Sequence, residues 1–255
     1  MDPIAVTLPL AAVETTLLAA VRMTAFLVVA PPFAQRGMPG TVKVALGTGL
    51  ALAVAPRLEQ VESSGTASFF GHIVLQALVG AATGFLVYLV FAAVQSAGSL
   101  IDLFGGFQIA MAFDPMSMTN GAQFSRLYQM LAVALLFASD GYQLVIAGLM
   151  RTFDVLPVGD MFSPEAYAGS AAEGLTDMFV AALQIAGPLL VVLFLADIGL
   201  GLLTRVSPAL NAFALGFPLK ILLTLTLGGF ALLALPDILG ALARDTVTTV
   251  PGALR

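Results

Sequence analysis

An all-α, polytopic integral membrane protein with about six hydrophobic segments is the fold class this sequence predicts. Three observations predict it. Of its 255 residues 59% are hydrophobic, and the mean hydropathy is +1.01. Only 10% are charged, against about 25% in an average soluble domain, so this is not a surface that water can wet. The apolar residues also gather into runs that approach the ~20 residues of helix a bilayer core requires, with turn-rich links between them.

The runs follow in order. The first, 15–31, carries one internal charge, Arg22. No basic region precedes it, so it reads as part of the mature protein rather than as a secretory signal. The Pro- and Gly-rich link 31–40 breaks helix. The second run, 42–54, is short for a span. The third, 69–101, holds no charge and is long for one upright pass. It either tilts or forms part of a bent hairpin that never crosses as a simple span. The fourth, 127–150, is interrupted at Asp140-Gly141; the fifth, 178–203, contains Asp197; the sixth, 210–235, contains Lys220. The longest links are 102–126 and 151–177. None is large enough for a soluble domain, so a single membrane domain over 1–255 is expected. If all six runs crossed, Arg36, Lys43, Arg126 and Arg205 would face one side and Arg57, Arg151, Arg244 and Arg255 the other. Positive charge then sets no orientation, which argues against a plain six-span topology. Hairpins buried among other subunits would tolerate the uneven lengths, because broken backbone at membrane depth is allowed where protein covers it.

Composition narrows the function. The net charge is −5 with no basic cluster, which disfavours nucleic acid as a partner. Cysteine is absent and His72 is the one histidine, so thiolate nucleophiles and His- or Cys-based metal sites have no material; no metal, cofactor or enzymatic activity is expected. His72 reads as a helix-end residue. No phosphate-binding loop of the Walker type occurs. Asp102, Asp140, Asp197, Arg205 and Lys220 lie in or at the edges of apolar runs. Such charges usually face protein or a wet cavity, either as an ion relay or as structural pairs. Gly80 and Gly84 form a GxxxG spacing that lets two helix backbones approach.

The most unusual link is 105–121. Gly105 and Gly106 open it as hinges, and Pro115 after Asp114 forbids helix continuation. It holds Phe107, Met111, Phe113, Met116 and Met118. Methionine packs deformably against many shapes. Such a loop suits either a seal across a pore or an ordinary hydrophobic loop buried between helices.

Three groups of residues carry a family resemblance. The first is Arg22-Met23-Thr24-Ala25-Phe26, then Ala30-Pro31-Pro32-Phe33, then Pro39-Gly40-Thr41-Val42-Lys43-Val44. The second is Gly106-Phe107, Phe113-Asp114-Pro115, Phe137, and Phe153 before Leu156-Pro157. The most specific is the third, Arg205-x-x-Pro208-x-x-Asn211 followed by Phe217-Pro218-x-Lys220. Over nearly its whole length the chain resembles the FliR family of flagellar type III export-gate subunits, whose sister branch serves injectisomes. The 102–157 and 205–220 patterns are more similar to the flagellar branch. One departure is Gly141-Tyr142, where the family often has Gly-His. The resemblance implies bent helical hairpins and a FliP-like part over about 1–175 joined to a FliQ-like part over 176–255. It implies assembly with FliP-type and FliQ-type subunits, with FlhB-type and FlhA-type neighbours, in the inner membrane at the flagellar basal body. Unfolded flagellar substrates would pass through the assembly. It places Phe107, Met111, Phe113, Met116 and Met118 at the pore plug, shaped by Gly105, Gly106, Asp114 and Pro115. Arg205, Pro208, Asn211, Phe217, Pro218 and Lys220 would serve subunit contacts at a helix bend. Two other classes compete. A small-molecule secondary transporter would need a midplane site, for which Asp197 and Lys220 are the seeds. An intramembrane enzyme would need paired catalytic groups that are missing.

Overall fold

The computed structural model describes residues 9–34, 37–61, 65–107, 123–160, 162–207, 215–229, 232, 235–236 and 240–241. The elements described are helical. Helix α1 spans Leu10–Val29, α2 Gly40–Val54 and α3 Thr66–Phe104. Then come α4, Gln123–Ala138, α5, Gly141–Val155, and α6, Pro164–Val206. A final apolar helix, α7, spans Leu215–Gly229.

Proline sets several of the boundaries. Pro9 and Pro39, both with extended ψ, immediately precede α1 and α2. Helix α1 stops before Pro31-Pro32, because the residue ahead of a proline is pushed out of helical backbone. Helix α2 tightens into the 3-10 turn Ala55–Arg57 around Pro56. At 15 residues it is about 22 Å long, short of the ~30 Å hydrocarbon core. Helices α3 and α6 contain 39 and 43 residues, about 58 and 64 Å, twice that thickness.

One expectation from the sequence is corrected. The link 151–177 is not one long connection. Helix α5 runs on to Val155, and α6 begins at Pro164, well before residue 178. The start was legible locally: Pro164 takes the first helical position, the Ser163 hydroxyl accepts the N–H of Ala166 at 3.4 Å, and Glu165 sits in the first turn. Among the described residues three helices are long and apolar enough to cross a membrane (α1, α3 and α6), or four if α4 and α5 count as one. The fourth run breaks where the sequence indicates, with Asp140 in left-handed backbone at φ 55°, a region aspartate tolerates better than most side chains.

The chain forms two compact units that interleave along the sequence: residues 1–88, 142–174 and 243–255, and residues 89–141 and 175–242. In the first, α1 packs on α2 and on the first half of α3. Leu18, Met23, Phe26 and Leu27 are buried, as are Val79, Leu149 and Phe153. A Cβ on Gly80 would collide with the backbone carbonyl of Arg22, and one on Gly84 would lie 3.1 Å from the carbonyl oxygen of Phe26. The missing side chains are what let α3 approach the α1 backbone. Gly80→Ala is therefore expected to lower stability by about 1 to 3 kcal/mol, the usual cost of overpacking. Gly49→Ala, where the added Cβ meets nothing within 4 Å, should raise it by up to about 1 kcal/mol. Thermal loss of far-UV circular dichroism from the detergent-purified chain measures both.

The same unit buries an arginine. Arg22 is fully buried. Its Nε donates to Gln76 Oε1 at 2.6 Å, and its Nη1 donates to the carbonyls of Thr152 at 3.2 Å and Leu156 at 2.8 Å. Gln76 Nε2 in turn donates to the carbonyl of Val158 at 2.8 Å. The guanidinium lies 4.3 Å from the centre of the Phe153 ring. One cation thus adds a second donor to the Thr152 carbonyl, which already accepts the Leu156 N–H, and satisfies the Leu156 carbonyl just past the end of α5, where positive charge is favoured.

In the second unit α4 buries Phe124, Tyr128, Ala132 and Leu136, a stripe at four-residue spacing. Helix α6 buries Ala182, Ile185, Ala186, Leu189 and Leu193 and leaves Phe179, Leu183, Phe194, Leu195 and Leu202 exposed. Exposed apolar side chains on that scale are those of a helix facing lipid or another subunit.

Candidate functional site

The densest convergence of the predicted site residues lies in the second unit, at the base of the 105–121 link. There the end of α3 and the start of α4 run antiparallel: Gly98 faces Ser125, and Asp102 faces Phe124. Gly98 makes the approach possible, since a Cβ there would sit 2.6 Å from Ser125 Cα and 2.7 Å from the Phe124 carbonyl oxygen. One turn on, the fully buried Asp102 carboxylate accepts the N–H of Phe124 at 3.0 Å and of Ser125 at 2.9 Å. Those are N–H groups that the first turn of a helix cannot satisfy itself, and the helix dipole favours an anion there. Asp102 is thus a structural clamp between the two anchor points of the link.

The chain then leaves α3 through a glycine turn. The N–H of Gly105 donates to the Ile101 carbonyl at 2.8 Å, and Gly106 takes φ +82°, the left-handed conformation that ends many helices. The Phe107 ring stands edge-on to Phe124 at 5.2 Å between centroids, and Phe124 packs on Tyr128 at 6.4 Å. Helix α7 lies against this turn. A Cβ on Gly105 would come 2.7 Å from Thr224 Oγ1, and one on Gly106 would come 3.2 Å from Phe217 Cε1. A Cβ on Gly228 would come 3.2 Å from Phe124 Cε1. Residues 217, 224 and 228 share one helical face.

The loop glycines and the Phe217-Pro218-Lys220 motif, read in the sequence as separate features, are therefore brought together. Lys220 pairs with Asp197 at 2.7 Å, with side chains 22% and 46% exposed, and Gly216 faces Leu200 at 3.4 Å. The end of α6 and α7 thus form a second antiparallel hairpin. Arg205 is exposed in the last turn of α6, and Pro218 is exposed in the first turn of α7, where proline is tolerated. Met111, Phe113, Asp114, Pro115, Met116 and Met118 lie outside the described residues, as do Pro208 and Asn211. Gly80 and Gly84 belong to the other unit, at the contact with α1.

Sequence reasoning missed the partners. Asp102 was visible as a charge ending an uncharged run, but Phe124, Tyr128, Gly98 and Thr224 carried no signal. Arg22 was visible as the one charge in the first run, and Gln76, a polar residue in the uncharged third run, was its available counterpart. Among the described residues no group of three or more His, Asp or Glu is placed to hold a metal ion. What the site can do is mechanical: it fixes both anchors of an apolar link.

The model of the bacterial export proteins, family 1, matches residues 13–246. The chain is similar to the flagellar biosynthetic protein FliR of Escherichia coli (strain K12), with 35% identity over 81% of this chain and 78% of that protein. It is similar to the protein of the same name from Bacillus subtilis (strain 168), with 31% identity over 80% and 81%. A more distant similarity, 26% identity over 56% of each chain, is to the Yop proteins translocation protein T of Yersinia pestis.

Proposed function

The chain belongs to the bacterial export proteins, family 1, the FliR family of flagellar type III export subunits and their injectisome counterparts, and on that premise we propose that it helps form and plug the polypeptide-conducting pore of the flagellar export gate. It is a membrane component of type III protein export and flagellum biogenesis. Its finer role is read as follows. In the inner membrane at the basal body it joins FliP-type and FliQ-type subunits, with FlhB-type and FlhA-type neighbours, through a FliP-like part over about 1–175 and a FliQ-like part over 176–255. Phe107, Met111, Phe113, Met116 and Met118 close the pore, and unfolded flagellar substrates displace them. Arg205, Pro208, Asn211, Phe217, Pro218 and Lys220 serve the contacts that hold the assembly.

The observation that carries the plug reading is the anchored base of the link. Asp102 holds the two helix ends together, and Phe107 packs edge-on against Phe124. An apolar segment tethered at two fixed points can be displaced and return, whereas a loose one would be lost from the pore. Packed Met and Phe exclude water, and a hydrophobic constriction blocks ions by dewetting; flexible Met side chains lower the cost of displacement. The chain supplies no nucleotide chemistry, so the driving energy comes from elsewhere in the apparatus.

The test replaces Phe107, Met111, Phe113, Met116 and Met118 together by alanine and measures ion flux through the assembled complex in liposomes. Resting flux is expected to rise by roughly tenfold or more as the constriction wets. Variants that assemble normally and stay as tight as the parent overturn the plug.

A further inference from the structure

The first unit contains a half-open cavity of about 350 Å³ between the end of α2 and the end of α5. That size is ample for a small polar group. Its buried wall is apolar, formed by Val54, Phe153 and Val158. Four exposed charged side chains line it: Arg57 and Glu59 from one segment, Arg151 and Asp154 from the other. Among the described residues none of the four is in an ion pair, so each arginine nitrogen is more than 4.0 Å from each carboxylate oxygen. Two cations and two anions of a sparsely charged chain thus border one hollow without neutralising each other. Beneath them the hollow is held rigid: Phe153 lies under the Arg22 guanidinium, and the Val158 carbonyl accepts from Gln76.

We infer that this cavity binds the headgroup of a zwitterionic phospholipid carrying a primary ammonium. The phosphodiester would take Arg57 and Arg151, since guanidinium offers paired donors to phosphate oxygens. The ammonium would take Glu59 and Asp154. Both helices that frame the cavity give out there. Arg57 closes the turn that ends apolar α2, and Arg151 and Asp154 lie in the last turns of α5, so charge appears where apolar helix stops, as it does at a bilayer surface. Leu52 on α2 and Leu144 on α5, 60% and 44% exposed, stand on the apolar side of that boundary, where acyl chains would lie. A purely anionic headgroup satisfies the arginines but faces two carboxylates. A choline headgroup cannot donate hydrogen bonds to them.

The test uses the full-length chain purified with the subunits it assembles with, stripped of lipid and titrated in mixed micelles with phosphatidylethanolamine, phosphatidylcholine or phosphatidylglycerol. Native mass spectrometry reads the lipid retained per copy of this chain. Phosphatidylethanolamine should bind at about tenfold lower concentration than the other two, a difference of about 1.4 kcal/mol. The double variant Arg57→Gln/Arg151→Gln should lose that binding, and Glu59→Gln/Asp154→Asn should abolish the preference over phosphatidylglycerol. Arg57→Lys/Arg151→Lys, which keeps the charge, should retain the preference and serves if the glutamine variant does not fold. Three results overturn the inference: equal retention of the three lipids by the parent, retention unchanged in both charge-removing variants, or displacement by soluble glycerophosphoethanolamine at equal concentration. None of these variants touches the 105–121 link, so failure here and failure of the plug are separate outcomes.

Discussion

Replacing Asp102 by alanine is expected to cost the folded protein about 2 to 5 kcal/mol, because it strands two buried N–H groups that lose a charged acceptor. Amide exchange at Phe124 and Ser125 should accelerate by about a hundredfold as the first turn of α4 opens. An asparagine side chain at this position offers one carbonyl oxygen and places an amide donor against the second N–H, so Asp102→Asn should fall between parent and alanine. The functional consequence is specific. Since Asp102 joins the two anchors of the 105–121 link, the Asp102→Ala complex should conduct ions at rest although every Met and Phe of the link is intact. Thermal unfolding, exchange at those two amides and liposome flux read the three effects. A variant that melts, exchanges and seals like the parent removes the clamp from the account.

The second large effect is expected at Arg22. Arg22→Met keeps much of the side-chain volume but withdraws the donors to Gln76, Thr152 and Leu156. The change strands two neutral acceptors, Gln76 Oε1 and the Leu156 carbonyl, since Thr152 keeps the Leu156 N–H; at about 1 to 3 kcal/mol for each buried group left unpaired, the cost is expected to be about 2 to 4 kcal/mol. Arg22→Lys restores a charge but not the planar fork that reaches Gln76 and two carbonyls at once, and should recover less than half. Arg22→Met/Gln76→Leu should be more stable than the sum of its single changes, since the second substitution removes a polar group the first had stranded. Because the network is buried, its contribution should change little between low and high salt. The midpoint of thermal unfolding across the parent, Arg22→Met, Arg22→Lys, Gln76→Leu and the double variant measures all of this. An Arg22→Met protein as stable as the parent would show that the network contributes nothing net.

The elements whose reading came nearest the structure are those governed by neighbours in the chain. The short second run appears as α2 because prolines stand at both ends. The long third run appears as α3 because nothing in it breaks helix, and the break at Asp140-Gly141 separates α4 from α5. The early start of α6 was readable in Ser163-Pro164-Glu165 and was obscured by hydropathy, which marks where a helix is greasy and not where it begins. The candidate site was legible only in its parts. Gly105, Gly106 and Phe107 marked the loop, and Phe217 and Lys220 marked the later motif, yet nothing local joined them. That Gly106 packs on Phe217 depends on α7 returning across the turn at the end of α3.

By itself the sequence determined that the chain is helical, that it belongs in a membrane, and which family it joins. Hydropathy, proline placement and motif spacing are sums over near neighbours and survive without coordinates. Only the tertiary structure decided which buried polar groups meet. Asp102 finds its N–H partners 22 and 23 residues on, and Arg22 finds its acceptors 54, 130 and 134 residues on. The physical reason is that an unpaired buried charge is prohibitively costly. Apolar surroundings dictate that each of these residues must find partners, even though Arg22 Nη2 is left without one, while the packing of helices distant in sequence dictates which.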